Sequence, residues 1–172
     1  MPELPEVETI SRSLQQGSQK APSVVGKTIT SAEVSWPRTV AEPDSEAFKT
    51  LVVGQRIQAV GRRAKYLVFT LSKDTILVHL RMSGNILVGP KGEQLADHVR
   101  LSLALDDEWQ LAFNNPRKFG RVWLLDDPEV VFARLGPEPL DGSLTGEILH
   151  QRLQNRKRQI KPLLLDQGFI AG

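Results

Sequence analysis

The sequence predicts an α+β chain, mainly β: an antiparallel β-sandwich or flattened barrel led by one α-helix, with two short helices after it. Three observations predict this. Val7, Ile10 and Leu14 fall on one helical face near the start. Short β-type segments follow one another between positions 55 and 125. Among them, Val99-Arg100-Leu101-Ser102-Leu103-Ala104-Leu105 alternates so that one face is buried and the other wet. Beyond Gly136-Pro137-Glu138-Pro139, Leu144, Ile148, Leu149 and Leu153 return at helical spacing.

Pro5 suits the first turn of the leading helix, and Glu3, Glu6 and Glu8 suit the positive end of its dipole. A polar loop spans 15–23. Residues 24–36 read as a strand with a Gly26-Lys27 turn inside it, and 45–52 as a short helix capped by Asp44 or Ser45. Strands are expected at 55–60, 66–71, 75–81, 99–105, 109–113 and 121–125, with a turn at Asp106-Asp107-Glu108. Residues 128–135 look helical, and 136–139 have a linker composition. The expected domains are therefore 1–135 and 136–172. The two helices of the second part have little to pack on, so that part looks unfinished.

The 172 residues, 40% of them apolar, support a real core. A formal net charge of +2 with a pI near 9.0 permits a nucleic-acid partner without requiring one. There is no cysteine, which excludes disulfides, thiol nucleophiles and thiolate metal sites. His79, His98 and His150 are too scattered to suggest zinc. No apolar run approaches membrane-spanning length and the start is unlike a signal peptide, so a soluble cytoplasmic protein is expected.

Five stretches carry candidate chemistry. Removal of Met1 would make Pro2 an N-terminal secondary amine, able to attack a carbonyl-like carbon, with Glu3 beside it as a proton carrier. The plain alternative is that Pro2 and the glutamates only begin a helix. Arg62-Arg63-Ala64-Lys65 forms a basic cluster at a strand mouth, either solvated or serving as a phosphate anchor or general acid. His79-Leu80-Arg81-Met82-Ser83-Gly84 ends a strand in a turn. Met82 continues the apolar phase of Ile76, Val78 and Leu80, so it is either a core methionine or an exposed wedge for a base stack. In Asn114-Asn115-Pro116-Arg117-Lys118-Phe119-Gly120 an arginine can read a base edge and a lysine can hold phosphate. Phe119 can enter a gap between bases or be ordinary core. Arg156, Lys157, Arg158 and Lys161 form a basic run that reads as a solvated face or as phosphate contacts.

Taken together, Pro2-Glu3-Leu4-Pro5-Glu6-Val7-Glu8-Thr9, Arg63-Ala64-Lys65-Tyr66-Leu67, His79-Leu80-Arg81-Met82-Ser83-Gly84, Pro116-Arg117-Lys118-Phe119-Gly120, Leu135-Gly136-Pro137-Glu138-Pro139-Leu140 and Ile160-Lys161-Pro162 resemble bacterial formamidopyrimidine-DNA glycosylase in order and spacing. The resemblance covers essentially the whole chain. It implies a base excision repair enzyme that removes oxidised purines, 8-oxoguanine and formamidopyrimidines, from damaged double-stranded DNA and then cleaves the abasic strand by β,δ-elimination. By that resemblance the catalytic residues are Pro2, which attacks C1′ and forms a Schiff base, Glu3, which donates a proton in ring opening and base departure, and Lys65, the proton donor of β-elimination. Met82, Arg117 and Phe119 match the residues that fill the hole left by the flipped base, with Arg117 facing the orphaned cytosine. Lys118, His79, Arg156 and Lys161 complete the implied DNA-binding set. The endonuclease VIII group shares the Pro-Glu start, but the Leu4-Pro5-Glu6-Val7 continuation, the Met82 turn and the 116–120 loop favour the purine-type enzyme.

The resemblance also implies what a full-length relative has beyond position 172: the rest of a helix–two-turn–helix domain, and a four-cysteine finger holding one structural zinc. The chain is accordingly expected to hold only the first helices of an incomplete helix–two-turn–helix domain and no cofactor or metal of its own, and to act as a monomer. Many relatives have a DNA-binding histidine where this chain has Ala96. Two functions compete on these grounds: a truncated glycosylase with abasic-site lyase activity, and a fragment that binds DNA weakly without catalysis. Loss of phosphate contacts lowers affinity steeply with salt, so lyase action on abasic DNA is expected to survive better than base excision.

Overall fold

The computed structural model describes residues 2–106 and 108–172. The chain begins with helix α1 (Leu4–Gln16) and continues as strand β1 (Ile29–Val34), a 3₁₀ turn (Pro37–Thr39), β2 (Val40–Glu42) and helix α2 (Ser45–Val52). Seven strands follow: β3 (Ile57–Arg63), β4 (Tyr66–Leu71), β5 (Thr75–His79), β6 (Asn85–Pro90), β7 (Val99–Leu105), β8 (Trp109–Asn114) and β9 (Arg121–Leu125). Helices α3 (Glu129–Phe132), α4 (Gly146–Leu153) and α5 (Ile160–Leu164) close the chain.

The strands form two sheets, ordered β1-β7-β8-β6 and β2-β9-β5-β4-β3. Between them lies a core that includes Phe48, Leu67, Phe69, Val78, Leu80, Leu101, Leu103, Phe113 and Val122. The expected mainly β sandwich is thus present. All strand pairs described are antiparallel except β2 with β9. Helix α1 buries Leu4, Val7, Ser11 and Leu14, and Gln15 Oε1 accepts the N–H of Val60 at 2.6 Å, so α1 covers the edge of β3. The cap of α2 is Asp44, whose carboxylate accepts the N–H groups of Glu46 and Ala47 at 2.9 and 3.0 Å.

The differences from the sequence expectation have local causes. The strand expected at 75–81 stops at His79, because Arg81 takes a left-handed backbone with φ 55°. The strand expected at 24–36 is confined to β1, since Lys27 N–H turns back to Val24 O at 3.4 Å, while Val24 N–H donates to Leu14 O and Gly26 N–H to Ile57 O. Strand β6 escapes an alternation test because Ile86, Leu87 and Val88 are all half-buried. The turn expected at 106–108 includes Asp107, which lies outside the described residues.

Segment 136–139 is tightly held rather than slack. Gly136 N–H donates to Gln167 O at 2.8 Å, and Ala171 N–H to Pro137 O at 3.0 Å. A Cβ on Gly136 would lie 2.6 Å from Phe169 O, so glycine permits that approach. Leu163 of α5 is buried, as are Phe169 and Ala171, whereas α4 buries no side chain, in keeping with a stripe that has little to pack on.

Candidate nucleic-acid active site

The strand register brings the candidate residues to one end of the sandwich. Tyr66, at the start of β4, pairs with His79, at the end of β5, and His79 pairs with Arg121, at the start of β9. Asn85 pairs with Asn114 in the other sheet. The β3–β4 turn with Lys65, the β5–β6 turn with Met82 and the β8–β9 loop with Phe119 therefore emerge side by side.

Pro2 immediately precedes α1, and Glu3 is its N-cap. The Glu3 N–H donates to Glu6 Oε2 at 3.0 Å, which fixes the helix entry. The Glu3 carboxylate pairs with Lys65 Nζ. Lys65 is buried while Glu3 stays open to solvent, so a carboxylate and an ammonium meet at a partly wet surface next in sequence to Pro2. Met1 lies outside the described residues.

The turn that presents Lys65 is itself clamped. Ala64 has φ 53° and is fully buried; its N–H donates to Glu138 Oε2 at 2.9 Å. Arg62 Nη2 meets Glu138 Oε1 at 2.8 Å, and its Nε meets Glu8 Oε2 at 2.9 Å. Arg63 reaches Glu138 Oε2 at 3.2 Å and Gly136 O at 2.7 Å. Arg62 and Arg63 thus serve as internal struts and not as free phosphate anchors, because the buried Glu138 and the half-buried Glu8 take their charge. Arg62, followed by Arg12, holds the Glu8 carboxyl below its usual range.

The gap-filling candidates are presented outward. Met82 is 47% exposed and Phe119 51% exposed, which settles both against the core alternative. They share an open groove with Arg81 and Arg121. Arg117 stacks its guanidinium 5.3 Å from the Phe119 ring centre. Lys118 is exposed, and its ammonium lies 4.1 Å from the centre of the Trp36 ring. Both loops are braced by the buried ring of Phe113: a Cβ on Gly84 would come within 2.9 Å of Phe113 Cε2 and fall on Leu80 O, and one on Gly120 would meet Phe113 Cζ. Asn115 closes the second loop, donating to Gly120 O at 3.3 Å and accepting from Gly120 N–H at 3.2 Å.

His79 faces inward. Its Nδ1 accepts the Arg81 N–H at 3.1 Å and its ring stands edge-on to Tyr66 at 4.7 Å. Burial, then Arg81 and Lys65, push its pKa down to about 4, so the ring is neutral at pH 7. Burial likewise raises the Tyr66 phenol, against the opposing charge of Arg81. Arg156 and Lys161 are exposed on the basic run after α4. Arg156 lies 5.9 Å from the Phe169 ring centre, whereas Arg158 is paired with Asp166 at 2.8 Å.

Glu138, Phe113, Asn115 and Trp36 support the site without announcing themselves as chemistry in the sequence. The available signals were the glycines Gly84 and Gly120, and the placing of Glu138 between two prolines. A cysteine-free chain offers no thiolate, and among the described residues no three His, Asp or Glu side chains gather as a metal site. The residues present therefore do not fit the zinc of the full-length resemblance. Among the described residues no helix is long and apolar enough to cross a membrane.

Comparison with known proteins bears on this geometry. The family model for the formamidopyrimidine-DNA glycosylase N-terminal domain matches residues 1–122. The chain is 49% identical to a formamidopyrimidine-DNA glycosylase of Chloroflexus aggregans, with 100% of the chain and 62% of the relative covered. It is 44% identical to one of Protochlamydia amoebophila, covering 100% and 61%. It is similar in structure to the Lactococcus lactis glycosylase bound non-covalently to DNA containing an abasic site, with TM-score 0.87, 33% identity, and 99% and 65% of the two chains covered. The wild-type Lactococcus lactis protein with N7-benzyl-Fapy-dG DNA gives TM-score 0.87, 34% identity, and 99% and 62% covered. The chain thus spans about 62% of the length of the curated relatives it matches.

Proposed function

This chain belongs to the formamidopyrimidine-DNA glycosylase family, and from that premise we propose that it carries the nucleophile end of a DNA glycosylase and abasic-site lyase acting on oxidised purines in duplex DNA. The observation that carries the reading is the pairing of Glu3 with Lys65 beside Pro2. With Met1 removed, the Pro2 nitrogen attacks C1′ of the damaged nucleotide, and the glycosidic bond breaks as the base leaves with a proton. Glu3, a carboxylate in its pair with Lys65, takes the proton that the Pro2 nitrogen gives up on attack and delivers it to O4′ as the sugar ring opens, which leaves an iminium on Pro2. Loss of a C2′ proton then expels the 3′ phosphate, with Lys65 as the proton donor, and a second elimination releases the 5′ side.

The base is reached by flipping, which leaves a hole in the stack. Met82 and Phe119 are the apolar side chains that enter it, and Arg117 faces the unpaired base. Their exposure and common groove support this assignment. Lys118, Arg156 and Lys161 contribute charge toward phosphates. His79, buried and neutral, contributes by shaping the Arg81 turn beneath Met82.

Borohydride trapping tests the proposal, using duplexes with an abasic site or 8-oxoguanine opposite cytosine. A covalent complex on both, lost in Pro2→Gly, is the expected result, with the abasic duplex trapped faster. A complex that persists unchanged in a sample retaining Met1, where the Pro2 nitrogen is locked in an amide, would move the nucleophile to a lysine such as Lys65. No complex on either duplex would reduce the chain to a DNA-binding role.

A further inference from the structure

Trp36 lies outside every motif that carries the family resemblance, yet it touches the loop proposed to fill the base gap. Lys118 stands in that loop between Arg117 and Phe119, with a left-handed backbone at φ 59°. Its N–H donates to Asn115 O at 3.1 Å, and its carbonyl accepts from Arg121 Nη1 at 3.1 Å. The backbone is thereby pinned at the root of the loop, while at the tip the Lys118 side chain is tethered, its ammonium 4.1 Å from the Trp36 ring centre. The backbone of the other partner is anchored on both sides. Ser35 bonds to β7 twice, from its N–H to Arg100 O at 3.1 Å and from its hydroxyl to Val99 O at 2.8 Å. On the far side, Thr39 is buried and its N–H donates to Trp36 O at 2.8 Å. The Trp36 backbone is thus held on both sides, its half-buried ring forms an aromatic shelf, and Lys118 is drawn to that ring by cation–π attraction, strongest for indole.

We propose that Trp36 is a positioning residue for the gap-filling loop: by docking Lys118 it holds Arg117 and Phe119 directed away from the shelf and toward the DNA. The proposal rests on the function argued above. It assigns Trp36 no contact with the reacting atoms, so it concerns insertion into a stacked duplex and leaves the Pro2 chemistry untouched. An abasic site in a single strand needs no gap filled.

The test compares Trp36→Leu, Trp36→Phe and Lys118→Met. Trapping of the abasic duplex should slow about two- to fivefold in Trp36→Leu, the size of an exposed cation–π contact. Trapping of the single-stranded abasic oligonucleotide should stay unchanged, and Trp36→Phe should recover most of the loss. The double variant Trp36→Leu/Lys118→Met should be no slower than Lys118→Met alone. Additive losses would mean that Trp36 meets DNA directly and would overturn the proposal, as would equal behaviour of Leu and Phe. Amide hydrogen exchange at 117–120 without DNA gives an independent reading. It should accelerate in Trp36→Leu and Lys118→Met and not in Trp36→Phe; if it is unmoved by Trp36→Leu, the positioning role fails. Should no DNA be trapped by the unmodified chain, the proposed function falls while exchange still decides the role of Trp36.

Discussion

Glu138 accepts the N–H of Ala64 at 2.9 Å, and through that bond the segment after the sandwich grips the turn that presents Lys65. The same carboxylate takes Arg62, which also holds Glu8 on α1. Helix, turn and segment 136–139 are joined in one polar brace, and the Glu3–Lys65 pair sits at its open end.

Removing one partner from a buried ionic network leaves the other charges uncompensated. Glu138→Gln keeps the shape but leaves Arg62 with Glu8 alone and takes from Arg63 the carboxylate it meets, and it should destabilise the fold by about 3 kcal/mol. Urea unfolding checks this. A loss well under about 1 kcal/mol would mean that water replaces the carboxylate and that the brace is dispensable.

The two loops rely on contacts that only glycine allows. Gly84→Ala would drive a methyl group onto the Leu80 carbonyl oxygen, which is backbone and cannot swing aside. The expected cost is about 1–3 kcal/mol. Thermal unfolding reads it, and an unshifted midpoint would show that the turn relaxes.

Met82 and Phe119 should behave in the opposite way. Being about half exposed, each can be cut to Ala with a stability change within about 0.5 kcal/mol. Trapping of a lesion-containing duplex should nevertheless fall, since the gap would go unfilled. A stability loss comparable with a core truncation would contradict the outward placement.

His79 gives a pH dependence of defined sign. Its folded pKa, about 4, lies below the ordinary 6.5, so the unfolded chain binds a proton that the folded chain refuses. Stability from this residue is complete above about pH 6.5 and is lost as pH falls toward 4, by about 3 kcal/mol at most. Urea midpoints of the unmodified chain and His79→Gln should therefore converge as pH drops through this window. Parallel curves would show that the imidazole titrates freely.

The sequence by itself determined α1, the sandwich and most strand positions, because hydrophobic period is a local property that a few neighbouring residues state completely. It also offered Pro2, Glu3 and Lys65 as candidates, through the ordered motifs that carry the family resemblance. Tertiary structure decided the rest. Met82 keeps the apolar phase of β5, and the positive φ of Arg81 is what turns it outward. Arg62 and Arg63 look like Lys65 in a string of letters, yet only Lys65 faces Glu3, because the other two meet carboxylates from α1 and from segment 136–139. Phe113 reads as one more core aromatic, although its ring lies against the glycines of both candidate loops. Pairing register and buried charge partners join residues far apart in the chain, and no local pattern encodes which distant groups will meet.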